Sequence, residues 1–183
     1  YLAHDIVENP QDKSETFFDG IKKLEAGHCL TWHEGKMVKT KYWDIKITDE
    51  HYHLSEDQVT EKFKSLLYNS VSLRMRSDVP IGSSLSGGLD SSSLVTIIHE
   101  LVKDTKQHCF SARFENFSKD EGMFIEKLTK VLNIQQHNAW NKPAALAEIF
   151  DDILYHQEEP FQTGSIVAQW SVYKLARKEN VVV

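Results

Sequence analysis

Residues 84–92 read Ser-Leu-Ser-Gly-Gly-Leu-Asp-Ser-Ser, and they follow a short, largely apolar run, Val79-Pro80-Ile81-Gly82. The run predicts a strand, the paired glycines predict a tight turn, and Asp90-Ser91 predicts the start of a helix. The first amides of a helix have no intrahelical partners, so they bind anions. The alternative is a plain strand-to-helix turn with Asp90 or Ser91 as the helix cap, which explains one polar residue but not the whole run.

The polar residues of this loop indicate which anion it binds. Ser86, Ser91 and Ser92 supply hydroxyl donors, whereas the carboxylate of Asp90 suits a phosphate only if a divalent cation such as Mg²⁺ lies between them. The segment therefore predicts a loop for a polyphosphate and its metal ion. It is neither a Walker A loop, because Gly-Lys-Ser/Thr is missing, nor a Gly-x-Gly-x-x-Gly fingerprint.

Composition limits the class of protein. The 183 residues suit one domain, or one domain and part of another, with a hydrophobic share of 40% and a net charge of −6. An acidic chain is in general a poor binder of nucleic acid. We also see no apolar stretch long enough to span a membrane and no signal-peptide pattern at the start of the sequence. Isolated Cys29 and Cys109 favour a reduced, cytoplasmic protein over a disulfide, and His51-x-His53 favours a solvated strand end over a zinc site.

The two ends of the sequence suggest a piece of a longer protein. The chain begins with Tyr1 rather than Met and stops in the apolar run 181–183, which reads as a strand just starting. We therefore expect functional residues beyond both ends.

From residue 79 onward, apolar patterns alternate between strand and helix. The predicted order is strand, helix, strand, helix, strand, helix, helix, strand. This order predicts an α/β fold, a mostly parallel sheet with helices on both faces, in which the strand near 81–85 lies beside the strand near 109–114. Ligands bind such sheets beyond the carboxyl ends of the strands, where the loop after Leu85 lies.

The upstream half carries different signals. Residues 16–43 predict β structure from a separate, incomplete unit, with a hairpin over 28–41 and a polar linker over 47–54. A capping box at Ser55 then opens a helix whose apolar stripe, from Val59 to Met75, we interpret as core.

The loop resembles the pyrophosphate loop Ser-Gly-Gly-x-Asp-Ser of the ATP pyrophosphatases, and longer matches narrow the resemblance. Residues 77–92 are similar to the synthetase domain of glutamine-hydrolysing asparagine synthetases, and Glu15 to His28 resembles the end of that family's glutaminase domain. Phe110-Ser111-Ala112-Arg113-Phe114 and residues 155–161, Tyr-His-Gln-Glu-Glu-Pro-Phe, look like its bacterial branch. The resemblance covers nearly the whole chain.

The resemblance implies a fold and a domain order. It implies an adenine-nucleotide α-hydrolase-like synthetase domain over 51–183, preceded over 1–50 by the last part of an Ntn-type glutaminase domain and a linker. It also implies the reaction, in which MgATP activates aspartate as β-aspartyl-AMP with release of pyrophosphate, and ammonia from glutamine then gives asparagine. The expected partners are these small molecules. The resemblance leaves open whether the protein forms a homodimer, and the piece alone is expected to be inactive.

The resemblance also assigns roles to residues. Ser86, Gly87, Gly88, Asp90 and Ser91 would form the pyrophosphate and metal loop, with Asp90 as metal ligand and catalytic residue. Leu85 and Ala112 would contact adenine through their backbones, and Glu158 would act on the aspartate side or, equally, be a solvated carboxylate at a helix end.

Other readings of the same loop stay open. β-Lactam synthetases share the architecture, and GMP synthetase, NAD synthetase and tRNA-modifying thiolases or lysidine ligases share Ser-Gly-Gly-x-Asp-Ser, although these others leave the segment from Glu15 to His28 unexplained. A further alternative is a non-catalytic nucleotide-binding module that keeps the loop as a relic.

Overall fold

The computed structural model describes residues 14–102, 106–115, 117, 120–142, 146–161 and 163–181. The chain forms two compact units. The first comprises Tyr1–Glu56 with Glu159–Gln162, and the second comprises Asp57–Glu158 with Thr163–Val183. Within the described residues, no helix combines the length and the apolar character needed to cross a membrane.

The first unit contains an antiparallel hairpin of β1 (His28–His33) and β2 (Lys36–Lys41). The connecting residues Glu34 and Gly35 both have positive φ, 48° and 77°, which is the conformation that matches a two-residue turn to the twist of a hairpin. The strands pair in register from His28 with Lys41 to His33 with Lys36. The predicted hairpin over 28–41 is confirmed.

The segment before the hairpin is not β structure, so that part of the prediction for 16–43 is wrong. The Thr16 hydroxyl donates to the carbonyls of Phe18 (3.1 Å) and Ile21 (2.7 Å), and it accepts from the Phe18 amide. Such local side-chain bonds offer the backbone an alternative to a strand ladder. Residues 16–27 consequently form turns and irregular chain, and a short 3-10 helix, Asp49–His53, lies within the predicted linker.

The second unit is built around a three-stranded parallel sheet in the order β3 (Gly82–Ser84), β4 (His108–Phe114) and β5 (Gln135–Asn141). Five helices accompany it: α1 (Glu56–Arg74), α2 (Leu89–Leu101), α3 (Gly122–Leu132), α4 (Leu146–Gln157) and α5 (Ser165–Lys178). Because successive parallel strands are neighbours, right-handed crossovers put the intervening helices α2 and α3 on one face.

Two apolar clusters cover the two faces of this sheet. On the face of α2 and α3 the buried members are Leu85, Val95, Cys109 and Ile125. On the face of α5 they are Phe110, Ala139, Val172, Ala176 and Val181. The predicted α/β class, with helices on both faces and β3 beside β4, is confirmed. The expected strand of residues 181–183 falls mostly outside the described residues, as do positions 143–145 at the expected start of α4.

The apolar stripe of α1 departs from its interpretation as core. Of this helix only Val71 is buried, and Phe63 keeps 65% of its surface exposed. A shallow cavity of about 410 Å³ lies between α1 and α2, with Phe63 and Leu67 on one side and Thr96 and Ile97 on the other. Among the described residues, no further element covers the stripe, so the interpretation of the stripe as core is wrong for most of its members.

Candidate nucleotide site

The loop of residues 85–91 follows directly from the ladder of β3. The Leu85 amide donates to the Phe110 carbonyl at 2.9 Å, which carries the parallel pairing one residue beyond Ser84. The Leu85 side chain is 1% exposed and anchors the loop in the core between the sheet and α2. The loop therefore starts at a fixed point, at the carboxyl end of the strand.

Position 87 requires glycine for two reasons, its backbone conformation and the lack of space around it. Gly87 has φ of +91°, a region that residues with a side chain rarely adopt. A Cβ added there would lie 2.9 Å from the Glu121 Cβ and 3.1 Å from the Glu121 carbonyl oxygen. Gly87 thus lets the loop pass in contact with the residue that precedes α3.

Two serine hydroxyls close the loop. Ser86 Oγ lies 2.9 Å from Ser91 Oγ, and the Ser91 hydroxyl donates to the Gly88 carbonyl at 3.2 Å. The amides of Ser86 and Gly88 donate to Ser91 Oγ and Ser86 Oγ, at 3.3 and 3.4 Å. These bonds hold the backbone of residues 86–91 as one compact turn.

The same turn leaves donors open at the start of α2. Within α2, Ser92 is the first residue whose amide is paired, with the Gly88 carbonyl at 3.1 Å. In the described chain the amides of Leu89, Asp90 and Ser91 have no hydrogen-bond acceptor. No side chain caps this helix end. Neither Asp90 nor Ser91 therefore caps the helix, and open amides of this kind are the groups that bind anions at helix N-termini in other proteins.

Asp90 lies in the first turn of α2, and its side chain is exposed. Across the described residues, no cluster of three or more His, Cys, Asp and Glu side chains is arranged to hold a metal ion. The same holds for the described residues around His53. Mg²⁺ in nucleotide sites commonly takes one or two carboxylates and completes its shell with phosphate and water. A single exposed carboxylate beside an anion-binding turn fits that requirement.

A buried polar chain supports the loop from β4 and β5. The Ser111 hydroxyl, which is 1% exposed, donates to the Leu85 carbonyl at 2.5 Å, and Gln136 Nε2 donates to Ser111 Oγ at 2.8 Å. Both backbone groups of Leu85 therefore have partners within the protein, and only the second lone pair of its carbonyl oxygen is left for the adenine contact that the resemblance implies. Ala112, the next residue, is half-buried on the opposite face, packed against the cluster of Phe110.

A charged cluster at the end of β4 has no counterpart among the predicted site residues. Arg113 is 8% exposed and pairs with Asp120 through Nε at 3.0 Å, while the guanidinium lies 4.9 Å from the Trp140 ring centroid. Burial raises the pKa of Asp120, but amide bonds from Phe114 and Gly122 and the charge of Arg113 outweigh it, so the pKa lies below its usual range. The sequence did contain a signal for this cluster. Cys109, Ser111 and Arg113 alternate along β4 and so share its buried face, and a buried arginine requires an acidic partner.

Glu158 ends α4. Its φ is +61°, and its amide donates to the Leu154 carbonyl at 3.0 Å, which is the left-handed ending common at helix C-termini. Its carboxylate is exposed and forms no hydrogen bond or ion pair with the described residues. The contacts of the loop bring together Ser86, Gly87, Gly88 and Ser91, with Asp90 beside them, but they do not include Glu158.

Comparison with known proteins identifies the family. The asparagine synthase family model matches residues 62–183, which contain the whole loop and the parallel sheet. The chain is 33% identical over its full length to a putative glutamine-hydrolysing asparagine synthetase 2 of Methanocaldococcus jannaschii, and 28% identical to glutamine-hydrolysing asparagine synthetase 1 of Bacillus subtilis. Over 81% of its length it is 29% identical to the amidase chyE of Penicillium rubens.

The chain is shorter than these relatives. It spans 35% of the Methanocaldococcus protein, 28% of the Bacillus protein and 24% of the Penicillium protein. The matched region nevertheless covers most of the present sequence, and it includes the serine-closed loop with its open amides. The chain belongs to the asparagine synthase family.

Proposed function

We propose that the chain is part of a glutamine-hydrolysing asparagine synthetase, and that residues 86–91 bind the phosphates of ATP. The observation that carries the proposal is the loop closed by Ser86 and Ser91, which aims the unpaired amides of Leu89 and Asp90 outward. Fixed amides of this kind stabilise negative charge without reorganising during the reaction. The family match supports the same assignment.

The loop residues have the following proposed roles. Gly87 and Gly88 let the backbone approach the pyrophosphate, and Ser86 and Ser91 hold the turn that presents the open amides to its oxygens. Asp90 is the residue that would hold Mg²⁺, which when bound would offset the charge on the phosphates. Because charge on the pyrophosphate increases as it leaves, contacts made there favour the transition state over the ground state.

The proposed reaction has two steps. The side-chain carboxylate of aspartate attacks the α-phosphate of ATP, the bond to the pyrophosphate breaks, and β-aspartyl-AMP forms. Ammonia derived from glutamine then attacks the activated carbonyl, so that asparagine forms and AMP leaves. In this scheme Leu85 and Ala112 contact adenine through their backbones, and Glu158 acts on the aspartate side.

The domain arrangement is part of the proposal. Residues 1–50 are assigned to the end of a glutaminase domain with its linker, and residues 51–183 to the first part of the synthetase domain. The partners are ATP, Mg²⁺, aspartate and glutamine-derived ammonia, without nucleic acid, and a homodimer is compatible with them. Cys29 and Cys109 are free thiols, which supports a reducing, cytoplasmic location.

The test uses the full-length protein with MgATP, aspartate and ammonia. AMP, pyrophosphate and asparagine are the expected products, and exchange of labelled pyrophosphate into ATP should require aspartate. Production of ADP and phosphate would refute the proposal, and so would nucleotide binding without turnover, which is the outcome expected of a non-catalytic module.

A second candidate acts on a different carboxylic acid. The Ser-Gly-Gly-x-Asp-Ser loop fits an ATP-dependent ligase of the β-lactam synthetase type equally well, and such a ligase adenylates another carboxylic acid. Release of AMP with a β-amino acid derivative, but not with aspartate, would select this candidate.

A further inference from the structure

The carboxyl end of β4 carries a guanidinium that is nearly removed from water. Arg113 is 8% exposed, and a charge in such a position needs partners that replace its hydration. Asp120 supplies two contacts to Arg113 Nε, at 3.0 and 3.2 Å, and Glu126 lies 3.6 Å from Nη1. Glu126 is largely exposed, so the main partner is Asp120.

Asp120 also fixes the backbone on both sides of this ion pair. Its Oδ1 accepts from the Phe114 amide at 3.0 Å, and its Oδ2 accepts from the Gly122 amide at 3.1 Å. A side chain at Gly122 would overlap the guanidinium, since an added Cβ would lie 1.8 Å from Nη2 of Arg113. The end of β4 and the first turn of α3 are therefore joined through one carboxylate.

The first turn of α3 in turn touches the nucleotide loop. The space that a Cβ of Gly87 would occupy is bounded by the Glu121 Cβ at 2.9 Å, the Glu121 carbonyl oxygen at 3.1 Å and the Ile125 Cγ1 at 3.3 Å. Glu121 lies between Asp120 and Gly122, the two residues that the cluster holds. A displacement of Asp120 would consequently move the surface against which Gly87 packs.

We propose that Asp120, paired with Arg113, is a positioning residue that sets the pyrophosphate loop 86–91 through the first turn of α3. This inference rests on the proposed function, because it assigns Asp120 to the geometry of that nucleotide site. Asp120 does not contact the nucleotide in this proposal; it acts on the loop through Glu121 and Gly87.

The test compares Asp120→Asn with Glu126→Gln in the full-length protein. Both substitutions remove a carboxylate near Arg113, but only Asp120 bonds to backbone amides, so Glu126→Gln is the matched control. We expect Asp120→Asn to raise the KM for MgATP about tenfold and to leave the KM for aspartate unchanged. Glu126→Gln should change neither. Mere loss of folded protein would lower the maximal rate without altering either KM.

A second measurement does not depend on catalysis. Hydrogen exchange of a peptide covering residues 86–91, without nucleotide, should be about tenfold faster in Asp120→Asn and unchanged in Glu126→Gln. An Arg113→Lys variant keeps the charge but loses the Nε–H group that bonds both Asp120 oxygens, and it should show a smaller shift of the same kind. If the wild-type protein shows no aspartate-dependent exchange of pyrophosphate, the proposed function fails. The hydrogen exchange of residues 86–91 then decides by itself whether Asp120 positions the loop. Wild-type loop exchange in Asp120→Asn, or equal effects in Glu126→Gln, would overturn it.

Discussion

The hydroxyl of Ser86 lies 2.9 Å from the hydroxyl of Ser91, so the two ends of the segment 86–91 are bonded to each other across the two glycines. Ser91 is the more connected of the two, because it also accepts from the Ser86 amide and donates to the Gly88 carbonyl. The shape of the loop depends on this one hydroxyl.

Ser91→Ala should therefore open the loop. We expect a loss of about 30-fold or more in kcat/KM for MgATP, since the hydroxyl makes three hydrogen bonds and the loss of each costs about 1 kcal/mol. Ser93→Ala, two residues farther along α2, is the matched control and should behave like the wild type. Unchanged kinetics of Ser91→Ala in pyrophosphate exchange would show that the hydroxyl has no part in holding the phosphates.

Asp90→Asn tests the proposed metal ligand. The substitution should abolish Mg²⁺-dependent exchange between ATP and pyrophosphate while changing the free energy of unfolding by no more than about 0.5 kcal/mol, because the side chain is exposed. Asp57→Asn removes an exposed carboxylate from the first turn of α1 and serves as control. A folded Asp90→Asn protein with full exchange activity would exclude Asp90 from the mechanism.

Glu158 can be tested by separating its charge from its backbone conformation. Glu158→Gln keeps the left-handed ending of α4 and removes the charge, so it should lower aspartate-dependent exchange about tenfold if the carboxylate acts on the substrate side. Glu158→Gly should raise the free energy of unfolding by about 1 kcal/mol, because glycine adopts positive φ without steric cost. Full activity of the Gln variant would leave Glu158 as a solvated carboxylate at a helix end.

A histidine pair at the opposite end of β4 predicts a pH dependence of stability. His108 Nδ1 lies 3.1 Å from His137 Nε2, and Glu179 Oε2 lies 3.7 Å from His137 Nδ1. Burial lowers the pKa of His137, although the charge of Glu179 acts in the opposite direction. The unfolded chain then binds a proton more readily than the folded one, so stability is full above the unfolded pKa of about 6.5 and falls as the pH drops below it.

Urea unfolding between about pH 7.5 and 5.5 measures this dependence. In His137→Gln the decline toward low pH should be shallower than in the wild type, because a neutral side chain no longer gains a proton on unfolding. His53→Gln, an exposed site in the 3-10 helix, is the control. Identical slopes in all three proteins would contradict the role of His137.

The sequence was sufficient to predict the parallel sheet and the loop for a physical reason. From residue 79 onward each strand and helix has its own hydrophobic period, and the Gly-Gly pair fits few structures other than a tight turn. These local signals predict the same parallel sheet as the rules for connecting strands and helices. The hairpin at Glu34-Gly35 was predictable in the same way. In contrast, residues 16–27 are held by local bonds, from the Thr16 hydroxyl to Phe18 and Ile21 and from the Lys23 amide to Ser14, and no periodicity reveals such bonds.

Other features depend on contacts between elements. The cluster of Arg113 and Asp120 forms only once the chain has passed from β4 to α3, so it depends on a contact that the local sequence pattern does not reveal. The apolar stripe of α1 was predicted correctly as a helix but wrongly as core. A helical period shows which face of a helix is apolar, but it does not show whether another element covers that face.

The enclosure of Cys109 offers a way to observe the sheet as it opens. Burial raises the pKa of its thiol to about 12, and the side chain packs between β4 and the helices α2 and α3, so a thiol reagent can reach it only when these helices separate from the sheet. The other cysteine, Cys29, is exposed on the hairpin and can be replaced by serine. In such a variant the rate at which Cys109 is labelled, measured with and without MgATP, reports directly whether the nucleotide slows the separation of the sheet from its helices.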